Sequence, residues 1–150
     1  MFSLLVLCGC AKDSRPTDLP PLVACTISVT QGGAPLADAY VELKSQDVQK
    51  YRPSAQTDAA GNAVILTYGH PGAPVGKYKI LVSKNIEDDI VYGKDEYGEQ
   101  AVISSNIYKT VEDSYADAEK TPHEIEVTST KTQTAIDVGT AVRVKMSASN

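Results

Sequence analysis

Much of this chain alternates apolar and polar residues with a period of two, the pattern of strands that bury one face. Residues 22–30 are apolar and β-branched, ending in Ser28-Val29-Thr30 before the turn signal Gln31-Gly32-Gly33. In residues 37–44, Ala39, Val41 and Leu43 share one face, and Tyr40, Glu42 and Lys44 the other. Thr57-Asp58-Ala59-Ala60-Gly61-Asn62 predicts a compact turn in which Asp58 caps its own backbone and Gly61 takes a left-handed conformation. A strand follows over residues 63–68, then a Pro- and Gly-rich break over residues 70–76. Tyr78, Ile80 and Val82 alternate with Lys77, Lys79 and Ser83. Residues 124–128 alternate strongly, and residues 133–146 more loosely, as one bent strand or a hairpin turning at Gly139.

Residues 84–122 break this order. No clean period appears there, and a short helical turn is predicted within residues 112–120. Over residues 85–99 the acids Glu87, Asp88, Asp89, Asp95, Glu96 and Glu99 face the single base Lys94. The region predicts a long acidic loop inserted into an all-β domain. Short strands separated by Gly and Pro turns, with almost no helix, predict a seven-stranded antiparallel β-sandwich over residues 22–150.

The N-terminus follows a different pattern. Residues 2–8 are almost wholly apolar, and a polar stretch begins abruptly at Lys12. Leu7-Cys8-Gly9-Cys10 resembles the lipobox of bacterial lipoproteins: an aliphatic residue, small residues, then the cysteine that takes the lipid. That resemblance makes residues 1–10 a signal segment and Cys10 the lipidated residue. Cys8 is a poorer acceptor because bulky Leu7 precedes it. A basic n-region is missing, which a start upstream of Met1 would account for. Residues 11–21, with Pro16, Pro20 and Pro21, read as a flexible tether. The lipid implies a cell-envelope location, at the outer membrane in a diderm. The remaining cysteine, Cys25, sits in an apolar run and reads as a small buried hydrophobe.

Four segments resemble one family. Gly33-Ala34-Pro35-Leu36-Ala37-Asp38-Ala39-Tyr40-Val41 is similar to the G-x-P-L-x-G-A-x-V opening of carboxypeptidase-regulatory-like domains. Residues 57–62 resemble their T-D-x-x-G hairpin, and residues 74–82 their P-x-G-x-Y-x-V-x-V strand. Tyr115-Ala116-Asp117-Ala118-Glu119-Lys120-Thr121-Pro122 resembles a segment before the final strands in a lipoprotein branch of the group. Asp38 stands where the pattern has Gly, which predicts a somewhat different turn. The resemblance implies a transthyretin-like (prealbumin-like) sandwich used as a structural or binding module, not an enzyme.

Composition and charge narrow the chemistry. The 150 residues are 42% hydrophobic and 22% charged, ordinary for one folded domain. A net charge of −5 argues against a nucleic-acid partner, which requires a basic surface. His70 and His123 are far apart in sequence and suit neither a metal set nor a catalytic one. Tyr51-Arg52-Pro53-Ser54 only superficially resembles the Tyr-Arg-Gly-Ser of 5-hydroxyisourate hydrolases. No cofactor is expected. Asp88, Asp89 and Asp95 are weak candidates for a Ca²⁺ site, since they lack EF-hand spacing. Tyr92, Tyr97 and Tyr108 are the candidate ligand-binding residues, able to stack on a sugar or a partner peptide. The expected function is a lipid-anchored, non-enzymatic envelope module that binds a protein or a glycan. The alternative is a carbohydrate-binding accessory protein using the 85–108 loop.

Overall fold

In the computed structural model, which describes residues 15–47 and 50–147, the alternating segments are strands. They are β1 (Leu22–Val23), β2 (Cys25–Gln31), β3 (Ala34–Pro35), β4 (Tyr40–Ser45), β5 (Ser54–Gln56), β6 (Asn62–Val64), β7 (Leu66–Thr67) and β8 (His70–Pro71). Then come β9 (Ala73–Pro74), β10 (Gly76–Ser83), β11 (Asn85–Lys94), β12 (Gln100–Lys109), β13 (Glu124–Val127), β14 (Thr132–Asp137) and β15 (Val144–Lys145). Helix is confined, among the described residues, to one 3-10 turn at Asp113–Ala116, inside the stretch where a helical turn was expected.

Two sheets face each other. One has the order β13-β10-β4-β5-β7-β8; in the other, β2 lies between β14 on one side and β3 and β6 on the other. Their inner faces share one core. Ile27, Val41, Leu43, Ile65, Ile80 and Val127 within it are wholly inaccessible to solvent. Each contributes roughly 1.5–3 kcal/mol of transfer free energy. These are the inward positions that the period of two marks, so the all-β, sandwich-like expectation is met. Thr57, Thr67 and Thr121 are buried polar residues; the Thr57 hydroxyl donates to the Leu36 carbonyl (2.6 Å) and accepts from the Ala39 amide (2.8 Å). Asp38, between those two residues, takes φ 56, the left-handed conformation that glycine adopts most readily. The side chain differs from the family pattern there, while the backbone has the conformation a glycine would favour.

The expectation of an antiparallel sandwich needs correction at one pair. β14 runs parallel to β2, from Thr132 beside Cys25 to Asp137 beside Thr30. Alternation fixes which face of a strand is buried but not its direction, so the pattern could not distinguish the two. After β14 the chain neither continues as one strand nor forms a hairpin with it. Gly139, at φ 70, turns it away from the sandwich.

The sandwich has two distinct ends. β1 and β9 pair at the end where β2 and β10 begin. The expected tether, from Arg15 on, lies against that same end. Leu19 is buried, Lys50 pairs with the Asp18 carboxylate, and the Tyr51 hydroxyl donates to the Asp18 carbonyl (2.6 Å). β2 and β10 both finish at the opposite end, where the Gln31 side chain donates to the Thr110 carbonyl (2.8 Å). Residues 84–110 leave from there.

Candidate functional site: an exposed hairpin arm

The expected acidic loop is a β-hairpin, and this is the main correction to the sequence reading. β11 and β12 pair antiparallel along ten residues each, from Asn85 opposite Lys109 to Lys94 opposite Gln100. Strands of that length extend about 30 Å. The hairpin closes at its neck through the Thr110 amide, which donates to the Lys84 carbonyl (3.0 Å). The Lys84 ammonium in turn donates to the Ala37 carbonyl (2.7 Å).

The tip explains why a hairpin forms. Asp95 Oδ1 accepts from the Tyr97 and Glu99 amides, both at 2.9 Å, and Gly98 takes φ 83. The turn at Asp58 is built identically: Asp58 Oδ1 accepts from the Ala60 and Asn62 amides at 2.9 Å, and Gly61 takes φ 80. Asp-x-x-Gly therefore makes the same turn twice. In the first turn the motif was legible; in the second it was hidden among the acids. Asp95 is thus a turn-forming residue.

Two compensating bulges kink the arm. β11 carries an extra residue between Asp88 and Val91, and β12 one between Ser104 and Val102, so the register is restored beyond them. Asp89, in the first bulge, takes φ 52. A polar clamp holds this bulge. Arg143 donates to Asp88 (2.7 Å), lies 3.7 Å from Asp89, and places its guanidinium 4.0 Å from the centre of the Tyr108 ring. The Tyr108 hydroxyl and the Asn106 amide (3.2 Å) both donate to Asp89. Hydrogen bonding to Arg143 holds the Asp88 carboxyl below its ordinary range. Hydrogen bonding from Tyr108, then Asn106, does the same for Asp89, and its carboxylate raises the Tyr108 hydroxyl. β15 pairs with β12 beside the clamp, Lys145 opposite Tyr108. Of the predicted ligand-binding residues, Tyr108 is therefore occupied within the clamp.

Tyr92 and Tyr97 are exposed, at 59% and 82%. Tyr92 stands in an apolar setting that the sequence reading missed. Tyr92 lies directly opposite Val102, so the two share one face. Val91, one residue away, is on the other face, and Ile103 lies over Gly93 beside it. Ile90, Val91, Val102 and Ile103 are all between 40% and 60% exposed. Apolar surface is thus presented on both sides of the arm. The available signal was the pairing of Ile90-Val91 with Val102-Ile103 around an Asp-x-x-Gly turn.

The other candidates do not converge. Among the described residues no three His, Cys, Asp or Glu side chains are placed to hold a metal ion, and Asp88, Asp89 and Asp95 have the partners given above. The His123 ring is half-buried and stacked on Tyr115, with centroids 5.6 Å apart. Its Nε2 donates to the Asp137 carbonyl (2.8 Å), since a carbonyl only accepts. His70 sits at the start of β8, opposite Thr67. Cys25 is buried, and burial pushes its thiol up to about 11. A shallow polar depression of about 570 Å³ lies on the outer face of β14, β2 and β6, floored by Thr26 and Ser28. Cys10 falls outside the described residues. No family model, curated protein or solved structure matches this chain.

Proposed function

We propose that this protein is a lipid-anchored cell-envelope binding module without catalytic activity. A lipid on Cys10 holds a transthyretin-like sandwich at the membrane, and the β11–β12 arm makes the contact. The observation that carries this reading is the apolar surface on both faces of the arm, where Val91 and Ile103 are 48% and 60% exposed. Soluble folds ordinarily cover such a patch, and an uncovered one marks an interaction surface. The arrangement of the two ends supports the anchor. The chain reaches the sandwich at the end where β2 and β10 begin, and the arm leaves from the other. A lipid on Cys10 would therefore present the arm away from the bilayer. The left-handed Asp38 and the Asp58 turn support the transthyretin-like reading.

Two measurements in the producing cell test this. Labelling with a palmitate analogue should mark the wild type and fail in Cys10→Ser; an unlabelled wild type removes the anchor. A photo-crosslinking residue at position 103 should give a discrete envelope adduct, while one at exposed Val64 on the sandwich should not. Equal adducts at both positions, or none at 103, would remove the arm from the proposal.

A second reading, glycan binding, is favoured by the exposure of Tyr97 and Tyr92, whose rings can stack on sugar faces. Binding on a glycan array that is lost in Tyr97→Ala would establish it. A blank array would dismiss it.

A further inference from the structure

The geometry points to one kind of partner for the arm: a protein with an apolar cleft rimmed by lysine or arginine. This inference rests on the arm being the contact element and goes on to say what that element fits. Shape gives the cleft. Because Tyr92 and Val102 lie on one face and Val91 and Ile103 on the other, a flat partner could cover only half of the exposed apolar side chains. A cleft that receives the arm as a finger covers both faces.

Charge gives the rim. Beyond the apolar band the tip carries Asp95, Glu96 and Glu99 against Lys94. Among the described residues the carboxylates of Glu96 and Glu99 have no ion-pair partner. On the other side of the band, toward the neck, the acids Glu87, Asp88 and Asp89 are matched by bases: Arg143 pairs with Asp88 and Asp89, and Lys145 and Lys109 lie opposite Tyr108 and Asn85. A partner that covers the band meets unpaired carboxylates at its tip end, and basic residues there would complement them.

The same charges argue against the other occupants. A second copy would bring a second net charge of −5 against the first. Pairing along the free edge of β11 is further blunted by the bulge and by Glu87, Asp88 and Asp89. A bilayer would have to accept Asp95, Glu96 and Glu99 ahead of the apolar band, against the negative potential of anionic lipid.

The test uses the full chain immobilised through its N-terminus and a displayed library of random 16-residue peptides, with counter-selection on Ile103→Glu. Ile103 is exposed, so this variant should fold, which thermal unfolding will confirm. Enriched peptides should combine apolar runs with Lys or Arg. A synthetic peptide from that set should bind at least tenfold more weakly to Ile103→Glu. It should also bind severalfold more weakly to Glu96→Gln/Glu99→Gln and at 0.5 M salt. Arm-dependent peptides without a basic bias would overturn the partner chemistry while leaving the arm as a contact element. Dimers in sedimentation that Ile103→Glu dissolves would assign the arm to a second copy. Flotation with phosphatidylethanolamine–phosphatidylglycerol vesicles, lost in the same variant, would assign it to lipid. Enrichment identical on both baits, together with a blank cross-link at position 103, would overturn the arm reading itself.

Discussion

Cys25 stays neutral far above the range in which a free thiol ionises, because burial in the core penalises the thiolate. In the native protein Cys25 should resist iodoacetamide at pH 8, and it should label fully in guanidinium. Linkage has a definite sign here. The folded pKa is raised, so stability is intact below the unfolded thiol value and is lost as pH climbs through about 11. Between pH 9 and pH 11, denaturant midpoints should fall more steeply in wild type than in Cys25→Ala. The difference should be worth up to about 2 kcal/mol. The paired turn glycines give a sharper comparison. Gly61 and Gly98 share a left-handed backbone, but a Cβ on Gly61 would lie 2.5 Å from the Val29 carbonyl oxygen, whereas one on Gly98 meets nothing within 4 Å. Gly98→Ala should cost roughly 1 kcal/mol, confined to the arm tip. Gly61→Ala adds a backbone clash inside the sandwich and should lower its thermal midpoint by about 6 °C or more.

Legibility in the sequence depended on whether one face of an element is buried. β4, β10 and β13 were read correctly because Val41, Leu43, Ile80, Val82, Ile125 and Val127 repeat every second residue into a single core. β11 and β12 escaped the same test for two physical reasons. Both of their faces meet water, so no burial pressure imposes alternation. Their bulges also shift the phase at Asp89 and Ile103. Of the site residues, Tyr92 and Tyr97 were singled out as candidate ligand-binding residues, while Ile90, Val91, Val102 and Ile103 went unremarked because no period grouped them. Arg143 could not be found at all, since it reaches Asp88 from fifty-five residues away. Its clamp gives the prediction that belongs to this scale. Arg143→Ala should release β15 from β12 and speed amide exchange at Met146, whose N–H donates to the Ile107 carbonyl (2.8 Å). The sandwich midpoint should hardly move. Acid should imitate the substitution only late. With the Asp88 and Asp89 pKa values depressed, the clamp persists through mild acid and is lost as pH falls below the ordinary carboxylate range.

The molecule as a whole divides its labour between a sandwich with a continuous core and an arm outside it. Replacing residues 86–108 by a short Gly-Ser turn should therefore leave a folded protein, because Lys84 and Thr110 are already hydrogen-bonded across the neck. Its thermal midpoint should stay within a few degrees of wild type, measured by circular dichroism. A collapse of the transition would show that the arm carries structural weight. The parallel pairing of β14 with β2 has a consequence of another kind. Its partners stand more than a hundred residues apart, as in the hydrogen bond from Thr30 to Asp137. The sheet thus cannot close until nearly the whole chain is present, and that loop must be closed before any contact rewards it. Refolding should be slow, on a scale of milliseconds to seconds. In a growing or partly translocated chain, the β14 side of β2 stays open until the last strands arrive.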